Sequence, residues 1–159
     1  MTYLGWKLIH VLSVILFLGN ITTGLFWAAH ATRSRNFSLI ASTFDGIIKS
    51  DRWFTLPGVF GIIISGVAAA MMTNLPLLRT GWILWPLVLF AISGIVFGLW
   101  VAPLQRKILG LATSAEGSDQ DFANFKKLYR RWELWGLLAI ATPLAAAIIM
   151  VLKPALPGF

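Results

Sequence analysis

Four long apolar runs, separated by polar and charged segments, organise the chain. The first, Leu4 to Trp27, reads LGWKLIHVLSVILFLGNITTGLFW; the others run from Trp53 to Thr73, Trp82 to Ala102 and Trp132 to Leu152. At about 1.5 Å per residue each is long enough, as a helix, to cross a hydrocarbon layer of about 30 Å. The pattern predicts an all-α fold, a four-transmembrane-helix antiparallel bundle built as a single domain. On the first span His10, Ser13, Phe17, Asn20 and Gly24 fall within an arc of roughly 80°, taking about 100° per residue. That face is polar and small, and is predicted to look at other helices, not at lipid. Gly58, Gly61, Ser65 and Ala69 form a stripe on span two that lets a neighbouring backbone approach closely. Gly94 and Gly98 form a second small pair on span three.

The segments between the spans carry their own patterns. In 31–52, Phe37, Ile40, Phe44, Ile47 and Ile48 recur at helical spacing opposite Asn36, Ser42, Thr43 and Lys49. This predicts an interfacial helix between spans one and two, with a connector packed on the bundle as the alternative. Pro57 and Pro86 sit in the first turns of spans two and three, where a missing N–H costs least, and 74–80, with Pro76, is a turn. Ser118 with Asp121 signals a helix start. From Asp119 to Leu152 only Pro143 interrupts, so the first three turns of that helix stand outside the hydrocarbon. Pro143 is expected to kink the span, with Thr142 helping to satisfy a freed carbonyl. Ala29-His30-Ala31 resembles a signal-peptide cleavage site, but the apolar run before it exceeds a signal core, so it is read as a retained span.

Composition and charge sharpen this picture. The chain is 58% hydrophobic and only 12% charged, against about 25% charged in soluble domains, so lipid must solvate most of its surface. It has no cysteine, which excludes disulfides, thiolate zinc sites, iron–sulfur clusters and thiol catalysis. The net charge of +7 lies in the connections between spans, where topology and anionic lipid explain it, so nucleic acid is not an expected partner. Arg33, Arg35, Lys49 and Arg52 follow span one, and Arg106, Lys107, Lys126, Lys127, Arg130 and Arg131 follow span three. Only Lys7, Arg79 and Lys153 lie on the other side. The bias places loops 31–52 and 103–131 in the cytoplasm and both termini outside, in a bacterial inner (cytoplasmic) membrane.

Few residues can carry chemistry. His10 lies roughly 9 Å past the start of span one, and an ionisable side chain at membrane depth marks a candidate site. A neutral imidazole can ligate haem iron through one nitrogen while the other donates to a fixed partner; the alternative is that His10 only bonds a neighbouring helix. His30 lies about 30 Å further along and roughly 200° around, so the two histidines cannot share one haem within a monomer. At the inner interface His30 is a candidate partner of Glu133, in competition with Arg130. Met71 and Met72, near the outer end of span two, are candidate second axial ligands, and Arg79 a candidate partner for haem propionates. No nucleotide, zinc-hydrolase or serine-hydrolase motif occurs. No acidic residue falls in mid-span, which argues against a proton- or cation-coupled transporter.

WKLIHVLSVILFLGN, DRWFTLPGVF, GWILWPLVLFAISGIVFGLWVAPLQRKI and IIMVLKP together resemble a family of predicted integral membrane proteins catalogued as a domain of unknown function. More distantly, LIHVLSVILFLGN is similar to the first helix of four-helix haem-b membrane proteins of the HemJ and CopD types. That resemblance implies a first-helix histidine engaged in haem or metal chemistry, at the position of His10. HemJ-type proteins also carry an important lysine in a later span. Spans two and three here have none, so their oxidase activity does not carry over. The leading expectation is a small membrane b-type haem or redox protein with His10 as iron ligand. The alternative is a non-catalytic accessory subunit, or homo-oligomer, packed through its glycine faces; a permease comes third.

Overall fold

The computed structural model describes residues 2–158. Four helices carry the fold: α1 (Tyr3–Arg33), α2 (Phe37–Met72), α3 (Gly81–Ser114) and α4 (Asp119–Leu152), all long and apolar enough to cross a membrane. There is no strand among the described residues. Short connections at 34–36, 73–80 and 115–118 make neighbouring helices antiparallel, so both ends of the chain lie at one end of the bundle. The opposite end carries most of the basic residues.

The helices outrun the apolar spans. α2 has 36 residues, about 54 Å of helix against a hydrocarbon layer of about 30 Å. The segment expected to lie in the interface is helical, but it runs unbroken into span two as the first turns of α2. Its apolar face is not left for lipid: Ile40, Phe44 and Ile47 are buried with Ile108 and Ala112 of α3 and Phe125, Tyr129 and Trp132 of α4. Phe44 packs edge-on to Trp132 at 5.1 Å between ring centroids. Arg106 and Lys107 likewise lie on the helical extension of α3, not in a loop. Hydropathy reads such turns as connectors because their outer faces are polar; their inner faces form a second core.

Two turns of wider, π-helical winding, Asp51–Thr55 and Phe97–Val101, interrupt α2 and α3. Each is followed within two residues by a proline, Pro57 and Pro103. A proline has no N–H and its ring crowds the carbonyl four residues back. Widening the preceding turn relieves that crowding, and the Leu56 and Ala102 N–H groups bond five residues back, to Asp51 and Phe97. Pro143 in α4 leaves the Ala139 carbonyl without its helical donor. The Ser93 hydroxyl of α3 donates to that carbonyl at 2.6 Å, whereas Thr142 bonds Leu138. The expected rescue therefore comes from another helix.

The first-span face meets the second-span stripe. Phe17 lies over Gly58, Ser13 over Gly61, and His10 over Ser65 and Gly66. A methyl group at Gly58 would stand 3.1 Å from Phe17 Cβ, and one at Gly61 would overlap the Ser13 hydroxyl. At the end that carries the termini, α1 pairs with α2 and α3 with α4, but the pairs diverge. No Cα of Leu56–Met72 comes within 8 Å of Gly81–Val96 or of α4. The C-terminal tail folds over the start of α3: Trp85 Nε1–H donates to the Pro157 carbonyl at 3.1 Å, and Lys153 lies 4.6 Å over the Trp82 ring. Gly81 is required there, because the Leu156 backbone occupies the place of a side chain.

Candidate functional site

Divergence of the two helix pairs opens a cavity of about 290 Å³, near the lower end of small-molecule sites. Every helix contributes to its wall: Val14 and Phe17 from α1, Ile62 from α2, Phe90 from α3, and Ala146 and Met150 from α4. Phe17 and Phe90 meet across it, 5.5 Å between centroids. Val11, Ile15, Ile63 and Val151, also in the wall, are exposed on the helix faces that lipid would cover, so the cavity opens sideways to the membrane interior.

His10 is the one polar side chain in that wall. Its Nδ1 lies 3.0 Å from the Ile62 carbonyl and 3.3 Å from Ser65 Oγ. A carbonyl only accepts, and Ser65 gives its own proton to the Gly61 carbonyl. Nδ1 must therefore be the protonated nitrogen, and Nε2 keeps a free lone pair. Nε2 has no hydrogen-bond partner among the described residues. An imidazole whose N–H is fixed on a backbone carbonyl, with the second nitrogen bare, is oriented as metal-ligating histidines are.

The other sequence candidates are not gathered around it. Met71 is 72% exposed and Met72 half exposed, and neither lines the cavity. Arg79 sits in the 73–80 connection, outside the wall, with its backbone against Gly158. The methionine that does line the cavity is Met150, on a helix face that the sequence pattern did not single out. His30, at the basic end, stands edge-on to Trp27 at 5.7 Å. Glu133 accepts from the Tyr129 hydroxyl at 3.2 Å, and pairs with neither His30 nor Arg130 among the described residues.

Asn20 belongs to a second polar group that the sequence did not disclose. Its Nδ2 donates to Asp51 Oδ1 at 3.2 Å and to Thr55 Oγ1 at 2.9 Å; Thr55 Oγ1 donates to Asp51 Oδ1 at 2.8 Å, and Gln105 Nε2 to Asp51 Oδ2 at 3.0 Å. Asp51 is buried, although its neighbours Lys49 and Arg52 had marked it as loop. An acidic residue therefore does lie inside the bundle, level with Asn20, seven residues and about 10 Å along α1 from Trp27. The signal was present in the spacing: Ile40, Phe44, Ile47 and Asp51 fall on one helical face.

The chain belongs to the family described as predicted integral membrane protein (DUF2269), whose model matches residues 4–154. It is thus an integral membrane protein. Neither the curated proteins nor the solved structures contain a match to it.

Proposed function

We propose that the protein is a small membrane haem-b or redox protein in which His10 Nε2 is the iron ligand. The observation that carries this reading is the fixed tautomer of His10 in the wall of an otherwise apolar cavity. The wall offers such a group a bare imidazole nitrogen for the metal, aromatic and aliphatic side chains for part of the macrocycle, and the Met150 thioether as a candidate second ligand. Among the described residues it offers no cationic side chain for the propionates, which would have to reach out of the cavity through its lateral opening. Bound there, haem would supply a one-electron couple between ferric and ferrous iron. His10 would hold the metal, Ile62 and Ser65 would fix the ring that holds it, and the lateral opening would admit an apolar ligand from the bilayer. The test is the visible spectrum of purified protein with and without dithionite, in the native chain, His10→Ala and Met150→Leu. A Soret band lost in His10→Ala supports the reading. A colourless protein after haem supply overturns it.

One observation favours the accessory-subunit reading. Gly94 and Gly98 lie exposed on α3, four residues apart, with nothing within 4 Å of a side chain placed there. Such a pair suits close packing of another helix. Replacing both with leucine would release a co-purifying membrane partner or dissociate a homo-oligomer, and would leave a spectrum centred on His10 in place. The charge bias supports a basic end facing the cytoplasm.

A further inference from the structure

Below the cavity, on the side of the basic end, the four helices line a second and much smaller chamber of about 30 Å³. Its wall brings together Asn20 of α1, Asp51 of α2, Gln105 of α3 and Trp132 of α4. Both π-helical turns reach it, through Asp51 from one and Phe97 and Val101 from the other. Turns of this kind occur frequently at functional sites.

The hydrogen bonds around the chamber do not close. A carboxylate offers about four acceptor positions. Asp51 fills two on Oδ1 and one on Oδ2, so Oδ2 retains one. Trp132 is 2% exposed, and its Nε1–H has no partner among the described residues. The residue with the unpaired indole donor and the residue with the spare carboxylate lone pair thus line the same void. A water needs at least about 10–15 Å³ and two to four polar partners. The chamber exceeds that volume, and its lining offers a water the indole donor of Trp132 and the acceptor oxygens of Asp51, Asn20 and Gln105. The donor direction of the indole suits water and disfavours a metal cation.

Asp51 has no counter-ion among the described residues. No other charged residue lines the chamber, and Arg52, Arg106 and Arg131, next in sequence to three of its members, are exposed. Glu133 is engaged with Tyr129. The charged carboxylate is held only by neutral donors, and its burial opposes that charge. We propose that this chamber is a hydrated proton-binding site, in which a water held by Trp132 carries a proton to and from Asp51. The step forms one O–H bond on Oδ2 as the chamber water gives up one of its O–H protons and takes a proton from a hydronium ion of the solvent in its place. The reverse step returns it, and no electron moves. The assignment uses residues apart from His10 and stands independently of the haem reading.

The test is infrared spectroscopy of the full chain in proteoliposomes, titrated from about pH 10 to about pH 4, the range that brackets ordinary and strongly raised carboxyl values. The native chain should gain a carboxylic C=O band that shifts in D₂O. Asp51→Asn, nearly isosteric, should lack it. Trp132→Phe should displace it, and His10→Ala should leave it. Exposed carboxyls titrate in every variant and cancel in the differences. Identical titration spectra for the native chain and Asp51→Asn would overturn the proton site. An unmoved band in Trp132→Phe would overturn the water bridge. A thermal melt of each variant shows that the fold is retained.

Discussion

Ser93 and Pro143 should behave as a coupled pair, and the coupling has a defined sign. Pro143 removes the N–H that would serve the Ala139 carbonyl, and the Ser93 hydroxyl serves it instead at 2.6 Å. Ser93 and Ala139 are each 3% exposed, so no solvent can replace that donor. Ser93→Ala leaves a buried acceptor unpaired, which costs about 1–3 kcal/mol in soluble proteins; side-chain bonds between membrane helices average about 0.6 and reach about 1.7 kcal/mol. A loss of about 1–1.7 kcal/mol is expected, where the two ranges overlap. In a Pro143→Ala background the new N–H at 143 bonds Ala139 within α4, so the same Ser93→Ala change should cost less than half as much. The assay is reversible unfolding in mixed micelles, run as a double-mutant cycle. An equal cost of Ser93→Ala in both backgrounds would refute the assignment of Ser93 as the substitute donor.

Three further outcomes follow from other parts of the bundle. Phe44, fully buried against Trp132, anchors the core at the basic end, so Phe44→Ala should cost about 3–5 kcal/mol in the same unfolding assay; a loss below about 1 kcal/mol would mean that this end is not a packed core. A methyl group at Gly66 would stand 3.1 Å from His10 Cε1 and displace the ring, so Gly66→Ala should weaken haem binding by about 10-fold or more in a titration followed at the Soret band, as disturbed outer-shell partners of metal ligands do. The Ser118 hydroxyl and the backbone N–H groups of Ser118, Glu116 and Gly117 hold the Asp121 carboxyl below its ordinary value. The capping box it closes is thus fully present above the usual carboxylate range and is lost as pH falls through the depressed value. Hydrogen exchange over 119–124 should rise there in the native chain, lose that pH dependence in Asp121→Asn, whose amide oxygen still accepts, and be fast at all pH in Asp121→Ala.

The hydrophobic pattern disclosed the four helices, and the small polar face of α1 pointed correctly to a helix partner. His10, Ser13 and Phe17 do pack on the Gly58–Gly61–Ser65 stripe, because a 3.6-residue period places them on one side whatever they meet. Helix extent was less legible. Phe37–Ser50 reads as a helix in the sequence, but as one lying in the interface and not as the first turns of span two. The turns that leave the membrane alternate charged and apolar faces, and a hydropathy window averages these into a connector, as it did for 103–114. Asp51 was hidden for the same reason, since flanking charges outweighed its phase with Ile47 and Phe44. The cavity had no local signal at all. It arises from the divergence of two helix pairs, and which methionine lines it depends on their rotation: Met150 turns inward while Met71 turns out.

The most direct measurement of the functional account is the absorption spectrum of detergent-purified protein, prepared with ample haem and recorded oxidised and dithionite-reduced. The account predicts a Soret band that shifts on reduction, a reduced α-band, and loss of both in a folded His10→Ala variant. A spectrum flat beyond the tryptophan absorption, or one unchanged by His10→Ala, would contradict it.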